Sequence, residues 1–386
     1  MEQEFVSLAA RVAAFIRLSH GRIPSLPVRE SADSFDTLAR DVFVAQFRHN
    51  PAYQSWCRSR GVTPADEPGW EQFPAVPTEA FKEIVFSSIP ASERTAEFRS
   101  SGTTAQRPSR HFHFGPSLAL YETAALTGFE QHLLGDLDDL VEAGTLGPLD
   151  PPAFIALTPP PEAAPHSSLV HMLGAVLRTH GARDSLFAGR VASDGSWELD
   201  LDRLLFALRR SLCANRPLFL MGTAFNVVHL LDAFEAGNIR YRLAAGSRLM
   251  ETGGYKGRSR ELPRARLHAE VGRRLGLLPG SIVTEYGMSE LSSQAYDRIA
   301  QPLVPGIPCP PIFRFPPWTR ATVVSPETGV EVPEGGRGMV RIVDLANLWS
   351  VAAVQTSDEA IRRGEGFEWV GRMAQSEPRG CSRMTA

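Results

Sequence analysis

A chain of 386 residues with 43% hydrophobic and 22% charged residues has the composition of a globular protein that can bury a large core. Its net charge of −3 provides no basic excess for binding nucleic acid or an anionic membrane. No window approaches the roughly 18 uninterrupted apolar residues of a membrane span. Four scattered cysteines without a CxxC pair exclude a disulfide framework and indicate a cytoplasmic location.

The first 70 residues are predicted to be helical. Leu8, Val12 and Ile16 fall at helical spacing, and a second periodic run extends from Phe35 to about Phe47. Arg11 and Arg17 interrupt the first apolar stretch, which favours an amphipathic helix over a signal peptide.

Residues 71–300 are predicted to form an α/β body. Short apolar runs typical of buried strands alternate with helical runs, and this order predicts βαβ units and a mainly parallel sheet. The strands are expected at residues 154–157, 217–221 and 281–283, and the helices at residues 169–177, 224–234 and 261–276.

The last part of the chain changes character. Proline-rich residues 302–317 precede strand-like runs at 321–324, 338–343 and 349–355, which predict a β-rich subdomain over residues 301–370. Residues 371–386 are expected to be a hinge and a short tail that carries Cys381. Cys57 and Cys213 lie in helical runs and are predicted to be packing residues.

One candidate site is the loop Ser100, Ser101, Gly102, Thr103 and Thr104. A glycine-hinged turn with successive hydroxyls can direct backbone N–H groups and side chains toward a phosphate. The loop has neither the Gly-Lys-Ser/Thr ending of a Walker A loop nor a GxGxxG pattern, and on its own it is as consistent with an ordinary Ser/Thr/Gly loop.

Two further segments follow strand-like runs. Glu285, Tyr286, Gly287, Ser289 and Glu290 come after the run at 281–283, where an aromatic ring can stack on a base and a carboxylate can hold Mg²⁺. Taken alone, this segment is more consistent with a loop that contains a structural tyrosine than with a nucleotide site.

The second of these segments contains Gly253 and Gly254, which would let a flat ring approach the backbone closely. A plain turn explains the two glycines equally well.

Together these segments resemble the adenylate-forming superfamily of acyl-CoA ligases, peptide-synthetase adenylation domains and luciferases. SSGTT is similar to its phosphate loop and YGMSE to its YGxTE motif. Asp358, in TSD, stands where an aspartate of the superfamily binds the ribose hydroxyls, and Arg372 stands at its hinge. The resemblance implies a large N-terminal domain with mainly parallel sheets and a β-rich subdomain, the C-terminal small domain being truncated to a short tail.

The resemblance also implies roles. ATP and Mg²⁺ are the expected cofactors, with residues 100–104 at the phosphates, Glu290 at the metal, and Tyr286, Gly253 and Gly254 at the adenine. Glu285 is expected at the edge of the adenine, and Gly287 and Ser289 belong to the same nucleotide-binding motif, YGMSE. Asp358 and Arg372 are expected to bind the ribose.

From about residue 70 onward the chain resembles the acyl-protein synthetases of the LuxE type. PTEAFKE, HSSLVHML, TGGYKG and the ending GRMAQSEPRGCS carry this likeness. It implies that a carboxylic acid, expected to be a fatty acid, is activated as an acyl-adenylate and passed to Cys381. An acyl-accepting protein such as a fatty acid reductase is then the expected partner.

The sequence departs from the superfamily in two places. The lysine that usually follows the phosphate loop is absent, and Arg107 or Arg110 is expected to supply charge to the leaving pyrophosphate. The catalytic lysine of the superfamily's small C-terminal domain also has no counterpart in the 14 residues after Arg372. Two alternatives stay open: a ligase that acylates CoA or a carrier, and a nucleotide-binding protein that has lost turnover.

Overall fold

The computed structural model describes residues 2–19, 33–100, 107–142, 152–253, 262–300 and 311–372. Several helices begin at the capping residues that the sequence provides. The Ser34 hydroxyl accepts the Thr37 N–H at 3.1 Å, and the Thr223 hydroxyl accepts the Asn226 N–H at 3.1 Å. The α-helices of the described residues are α1 (Glu2–Leu18), α2 (Phe35–His49), α3 (Pro51–Arg58), α4 (Gly115–Phe129), α5 (Leu137–Glu142), α6 (Ser168–His180), α7 (Leu201–Cys213), α8 (Ala224–Ala236) and α9 (Arg264–Leu275).

The strands alternate with these helices in the middle of the chain and follow one another near its end. They are β1 (Val76–Pro77), β2 (Ala96–Arg99), β3 (Arg110–His113), β4 (Ala153–Ala156), β5 (Leu186–Phe187), β6 (Gly189–Val191), β7 (Trp197–Leu199), β8 (Leu218–Thr223), β9 (Arg248–Thr252), β10 (Ile282–Tyr286), β11 (Ala295–Tyr296), β12 (Thr319–Val324), β13 (Arg337–Asp344), β14 (Ala353–Arg363) and β15 (Gly366–Arg372).

A six-stranded sheet in the order β11-β10-β9-β8-β4-β5 forms the centre of the α/β part. Every neighbouring pair in it is parallel except β10 with β11. Apolar side chains project from both faces of its central strands. The helices α7, α8 and α9 pack on one face, and α4 and α6 pack on the other. This three-layer arrangement confirms the predicted α/β class with a mainly parallel sheet.

The β-rich part forms a second sheet. The strands β12, β13, β14 and β15 pair antiparallel, and β1 adds to β14 in parallel. The N-terminal helices share one apolar core with this sheet, in which Val12, Val42 and Val354 are all fully buried. The expected β-rich subdomain is therefore present, and it packs against the helices that open the chain.

Most of the predicted helices and strands are confirmed within a few residues, but the strand predicted at 349–355 is wrong in its limits. The strand β14 begins at Ala353 and continues to Arg363. The buried Gln46 side chain of α2 donates to the carbonyls of Asn347 and Leu348 and accepts the Ala352 N–H at 2.9 Å. Within the predicted segment, the Ser88 N–H donates to the Trp349 carbonyl at 2.8 Å and the Asn50 amide donates to the Ser350 carbonyl at 3.1 Å. Because these backbone groups are bonded outside a strand ladder, residues 349–352 form a turn instead.

Two smaller predictions also need correction. Cys57 is buried as predicted, but Cys213 is exposed, because α7 turns Leu204 and Leu208 to the core and Cys213 away from it. Glu285 and Tyr286 do not follow their strand but are its last two residues, since the pairing with β9 and β11 continues through them.

Within the described residues, no helix combines the length and the apolar character needed to cross a lipid bilayer.

Candidate active site

The carboxyl ends of three parallel strands bring polar side chains to one edge of the six-stranded sheet. Thr223 pairs in register with Thr252, and Thr252 pairs in register with Glu285. Gly253 follows β9 directly and is exposed, and a Cβ there would have no atom of the described residues within 4 Å. Edges of this kind are where α/β sheets bind ligands, and the open backbone at Gly253 leaves room for a flat ring. Gly254 lies outside the described residues.

Glu285 is a buried acid at this edge. Burial raises the pKa of Glu285 to about 7, and the negative charge of Glu251 also raises it. The Thr252 hydroxyl donates to the carboxylate and lowers the pKa in part. A Cβ at position 287 would lie 2.3 Å from the Glu285 Oε1 atom. Gly287 therefore leaves the space that the Glu285 carboxyl group occupies.

Tyr286 connects the two sheets through Asp358. The Tyr286 hydroxyl donates a 2.7 Å hydrogen bond to Asp358 Oδ2, and the Arg372 Nε donates to Asp358 Oδ1 at 3.2 Å. Asp358 is 3% exposed, and each of its two carboxylate oxygens accepts one of these hydrogen bonds. The three residues, which the sequence predicts for the nucleotide, thus form one hydrogen-bonded group.

The ring of Tyr286 lies among aromatic side chains of the β-rich part. Its centroid is 5.8 Å from that of Phe313 and 5.3 Å from that of Phe367, which it meets edge-on. The sequence predicts that this ring stacks on adenine. In the structure its hydroxyl contacts Asp358, the residue predicted for the ribose, and the ring packs against Phe313 and Phe367.

Ser289 and Glu290 form the centre of the site. The Ser289 hydroxyl donates to Glu290 Oε2 at 2.8 Å, and the Asn347 amide donates to the Glu290 carbonyl at 2.8 Å. Burial raises the pKa of Glu290, while hydrogen bonds from the Ser109 and Ser289 hydroxyls and the nearby charge of Arg372 oppose the rise. Glu290 and Asp358, which are 68 positions apart in the sequence, therefore share the field of the same guanidinium group.

The predicted phosphate loop starts beside this centre. Ser100 and Ser109 close its base, because the Ser100 N–H donates to the Ser109 carbonyl at 3.2 Å and the Ser109 N–H donates to the Ser100 hydroxyl at 2.9 Å. The Ser109 hydroxyl lies 3.3 Å from that of Ser289. The described end of the loop is thus in contact with the YGMSE segment. The remaining predicted loop residues, Ser101, Gly102, Thr103 and Thr104, lie outside the described residues, as does Cys381.

Sequence reasoning missed three residues that organise this centre: Ser109, His111 and Asn347. The His111 Nδ1 lies 2.9 Å from the Ser289 carbonyl, and burial lowers the pKa of His111 to about 4. A neutral ring with Nδ1–H donates to that carbonyl. The sequence signal for Ser109 and His111 was their position at the start of the segment that returns from the loop: Ser109 immediately precedes β3, and His111 lies in it. Nothing in the sequence around Asn347 indicated its role.

The two arginines expected at the pyrophosphate occupy different surroundings. Arg107 is exposed and pairs with Glu83 at 3.1 Å. Arg110 begins β3, and its guanidinium group lies over the Phe112 ring. The structure thus brings neither of them into contact with Glu290.

The donor set around Glu290 fits a Mg²⁺ ion that also binds a nucleotide. Glu290 supplies one buried carboxylate, and no group of three or more His, Cys, Asp or Glu side chains within the described residues could hold a metal. Mg²⁺ is commonly bound by one or two carboxylates together with substrate phosphates, so phosphate oxygens would have to complete its ligands here. When bound, the ion would neutralise charge on those phosphates.

No protein-family model matches the chain, and no curated protein is similar to it in sequence at a significant level. The similarity lies in solved structures. A 2-hydroxyisobutyryl-CoA ligase, in an open conformation with 2-HIB-AMP and CoA, matches with a TM-score of 0.60 and 14% identity over 90% of this chain and 74% of that chain. The postadenylation state of the same ligase with 2-HIB-AMP gives a TM-score of 0.60 and 14% identity over 91% and 72%.

The thioesterification state of that ligase, with 2-HIB-AMP and CoA, matches with a TM-score of 0.57 and 14% identity over 87% of this chain and 67% of that chain. At this identity the likeness concerns the fold. It agrees with the predicted superfamily architecture and does not distinguish the acyl-protein synthetase family within it. The chain therefore has the fold of adenylate-forming ligases.

Proposed function

We propose that this protein activates a carboxylic acid with ATP and transfers the acyl group to its own Cys381, from which a partner protein receives it. The first step forms a bond between a carboxylate oxygen and the α-phosphorus of ATP and breaks the α–β phosphoanhydride bond, so that pyrophosphate leaves. In the second step the Cys381 thiolate attacks the acyl carbon and AMP leaves. A fatty acid and an acyl-accepting reductase are the substrate and partner that the sequence favours.

The observation that carries the first step is the convergence of Tyr286, Glu290, Asp358 and Arg372. Tyr286 ends the mainly parallel sheet, Glu290 lies in the turn that follows it, and Asp358 and Arg372 belong to the β-rich sheet. The four residues lie within one hydrogen-bonded and electrostatically coupled group. In this proposal Glu290 holds Mg²⁺ on the phosphates, and residues 100–104 bind the phosphates themselves. Asp358 and Arg372 bind the ribose. The adenine is flanked by Gly253, Gly254 and Tyr286, and Glu285 lies at the edge of the adenine. Charge that develops on the phosphates is then met by groups that are already oriented.

The test of the first step is ATP–pyrophosphate exchange measured over fatty, aryl and amino acids. We expect exchange with one class of acid, dependent on Mg²⁺. Tight ATP or AMP binding without exchange on any acid would replace this proposal by that of a nucleotide-binding protein without turnover.

The second step is tested by labelling with radiolabelled acid and ATP. We expect a thioester on the wild-type protein, and we expect Cys381→Ser to lose the label while it keeps exchange. Cys213→Ser is the matched control, because Cys213 is the exposed cysteine of the described residues and should be irrelevant to labelling. A label that persists in Cys381→Ser contradicts the cysteine assignment, and a product that appears only with CoA would make CoA the acceptor.

A further inference from the structure

The hairpin formed by β2 and β3 contains arginine side chains that do not all pair with a nearby carboxylate. Arg99 and Arg110 are directly opposite each other across the two strands, an arrangement that is unfavourable for like charges. Arg99 is neutralised by Glu97 at 3.0 Å. Arg107, at the end of the connecting loop, is neutralised by Glu83. These two pairs use the carboxylates of Glu83 and Glu97.

Arg94, which precedes β2, and Arg110, which begins β3, both lie near the Phe112 ring. The guanidinium carbon of Arg94 lies 4.6 Å from the centroid of Phe112, and that of Arg110 lies 5.6 Å from it. The Arg94 Nε donates to the Ile89 carbonyl at 3.0 Å, while the Arg110 Nε is buried and has no hydrogen-bond partner among the described residues. Burial and the charge of Arg110 both lower the pKa of Arg94. Neither arginine forms an ion pair with a carboxylate within the part of the chain that the structure describes.

This arginine pair is on the opposite face of the hairpin from the candidate active site. Successive side chains of a strand point to opposite faces. His111 and His113 are buried, and His111 reaches the Ser289 carbonyl on the inner face. Arg110 and Phe112 alternate with them and are half-buried, so they belong to the outer face. The two guanidinium groups therefore lie on the face of the hairpin that is turned away from Glu290.

We infer that Arg94 and Arg110 form a binding site for a phosphate-bearing small molecule on the outer face of this hairpin. Two guanidinium groups that lie near the same aromatic ring can each direct two N–H donors at phosphate oxygens. An anion bound by both also offsets the repulsion between them. The same chemistry fits two sources: pyrophosphate that has left the active site, and the phosphates of an acyl acceptor such as CoA. These two sources rest on the proposed function, whereas binding of a phosphate-bearing molecule by the two arginines does not.

The experiment is titration calorimetry of the full chain with pyrophosphate and, separately, with CoA. Magnesium is left out, so that binding at the Glu290 centre does not dominate. We expect Arg110→Gln and Arg94→Gln each to weaken binding of at least one probe by roughly tenfold, the effect of losing one charge-assisted contact. Arg99→Gln is the matched control, since it removes the same charge from the same hairpin but from a residue that is already paired.

Weakening for both probes, or for pyrophosphate alone, supports a pyrophosphate site, and weakening for CoA alone supports an acceptor site. Unchanged binding of both probes in Arg94→Gln and Arg110→Gln overturns the inference, as does an equal loss in Arg99→Gln. These outcomes are independent of the exchange assay. If no acid supports exchange while the arginine variants still weaken binding, the proposed function fails and this site stands.

Discussion

The Tyr286 hydroxyl donates to Asp358 across the junction of the two sheets, at a distance of 2.7 Å. Tyr286 ends β10 of the mainly parallel sheet, and Asp358 lies in the middle of β14 in the other sheet. The bond therefore fixes the edge of one sheet relative to the other at the candidate active site. Arg372, at the end of β15, holds the second oxygen of the same carboxylate.

The contribution of this hydrogen bond to the free energy of unfolding can be measured with a pair of tyrosine variants. We expect Tyr286→Phe to lower the free energy of unfolding by about 2 kcal/mol, because a buried carboxylate loses a donor. If Asp358 binds the ribose, the KM for ATP in the exchange assay should also rise. Tyr296→Phe is the control, since the Tyr296 hydroxyl is buried and has no partner among the described residues. That variant should be as stable as the wild type or more so, and equal losses in both variants would contradict the role given to the contact.

Glu290→Gln tests the metal ligand with little change in shape. We expect ATP–pyrophosphate exchange to fall by about a hundredfold or more, as for the loss of one main electrostatic group in an active site. Stability should not fall, because burial already disfavours the charged form of Glu290. Exchange rates as a function of Mg²⁺ and a thermal melt provide the two readouts. Glu327→Gln, at an exposed turn, serves as the control, and full exchange in Glu290→Gln would remove Glu290 from this role.

Gly287 is predicted to be required because of Glu285. In Gly287→Ala the new methyl group would meet the Glu285 carboxyl at 2.3 Å, and a buried side chain has little room to move away. We expect a loss of about 1–3 kcal/mol in the free energy of unfolding by denaturant titration. Gly253→Ala meets no atom of the described residues within 4 Å and should stay within about 0.5 kcal/mol of the wild type. The loss should largely disappear when Gly287→Ala is made in a Glu285→Ala background, and its persistence there would refute the clash.

Glu285 should also make the stability depend on pH. Its pKa is raised from 4.5 to about 7 in the folded protein, so between these values the folded state keeps a proton that the unfolded state has lost. The free energy of unfolding therefore falls as the pH rises through this window, by on the order of 3 kcal/mol in total. Glu285→Gln lacks this proton and should gain stability relative to the wild type as the pH rises from 4.5 to 7.

The comparison with Glu285→Gln is needed because buried histidines act in the opposite direction. The pKa values of His111 and His132 are lowered to about 4, so protonation of the unfolded state makes stability rise with pH up to about 6.5. The difference between variant and wild type removes their contribution. A difference that stays constant from pH 4.5 to 7 would show that Glu285 does not retain its proton.

Most of the helices and strands that local patterns predicted are confirmed, but other elements, among them α4, β2, β3 and β15, were not predicted. The helix predicted at 224–234 is α8, and the strand predicted at 217–221 is β8, because hydrophobic period and capping act over a few residues. The strand predicted at 349–355 begins only at Ala353, since Asn50 and Ser88, which are far away in sequence, bond the carbonyls of Ser350 and Trp349, and Gln46 bonds the Ala352 N–H. Cys213 was predicted to be a packing residue for a similar reason: helical spacing does not reveal which face of a helix meets the core.

By itself the sequence determined the α/β class, the order of the elements and the five short motifs that point to nucleotide chemistry, since all of these depend on residue type and near-neighbour spacing. Only the tertiary structure decided which residues meet. It brought Ser109 to Ser289, Tyr286 to Asp358 and His111 to the Ser289 carbonyl. Such contacts follow from how sheets pair and pack across distant parts of the chain, and no local pattern records them.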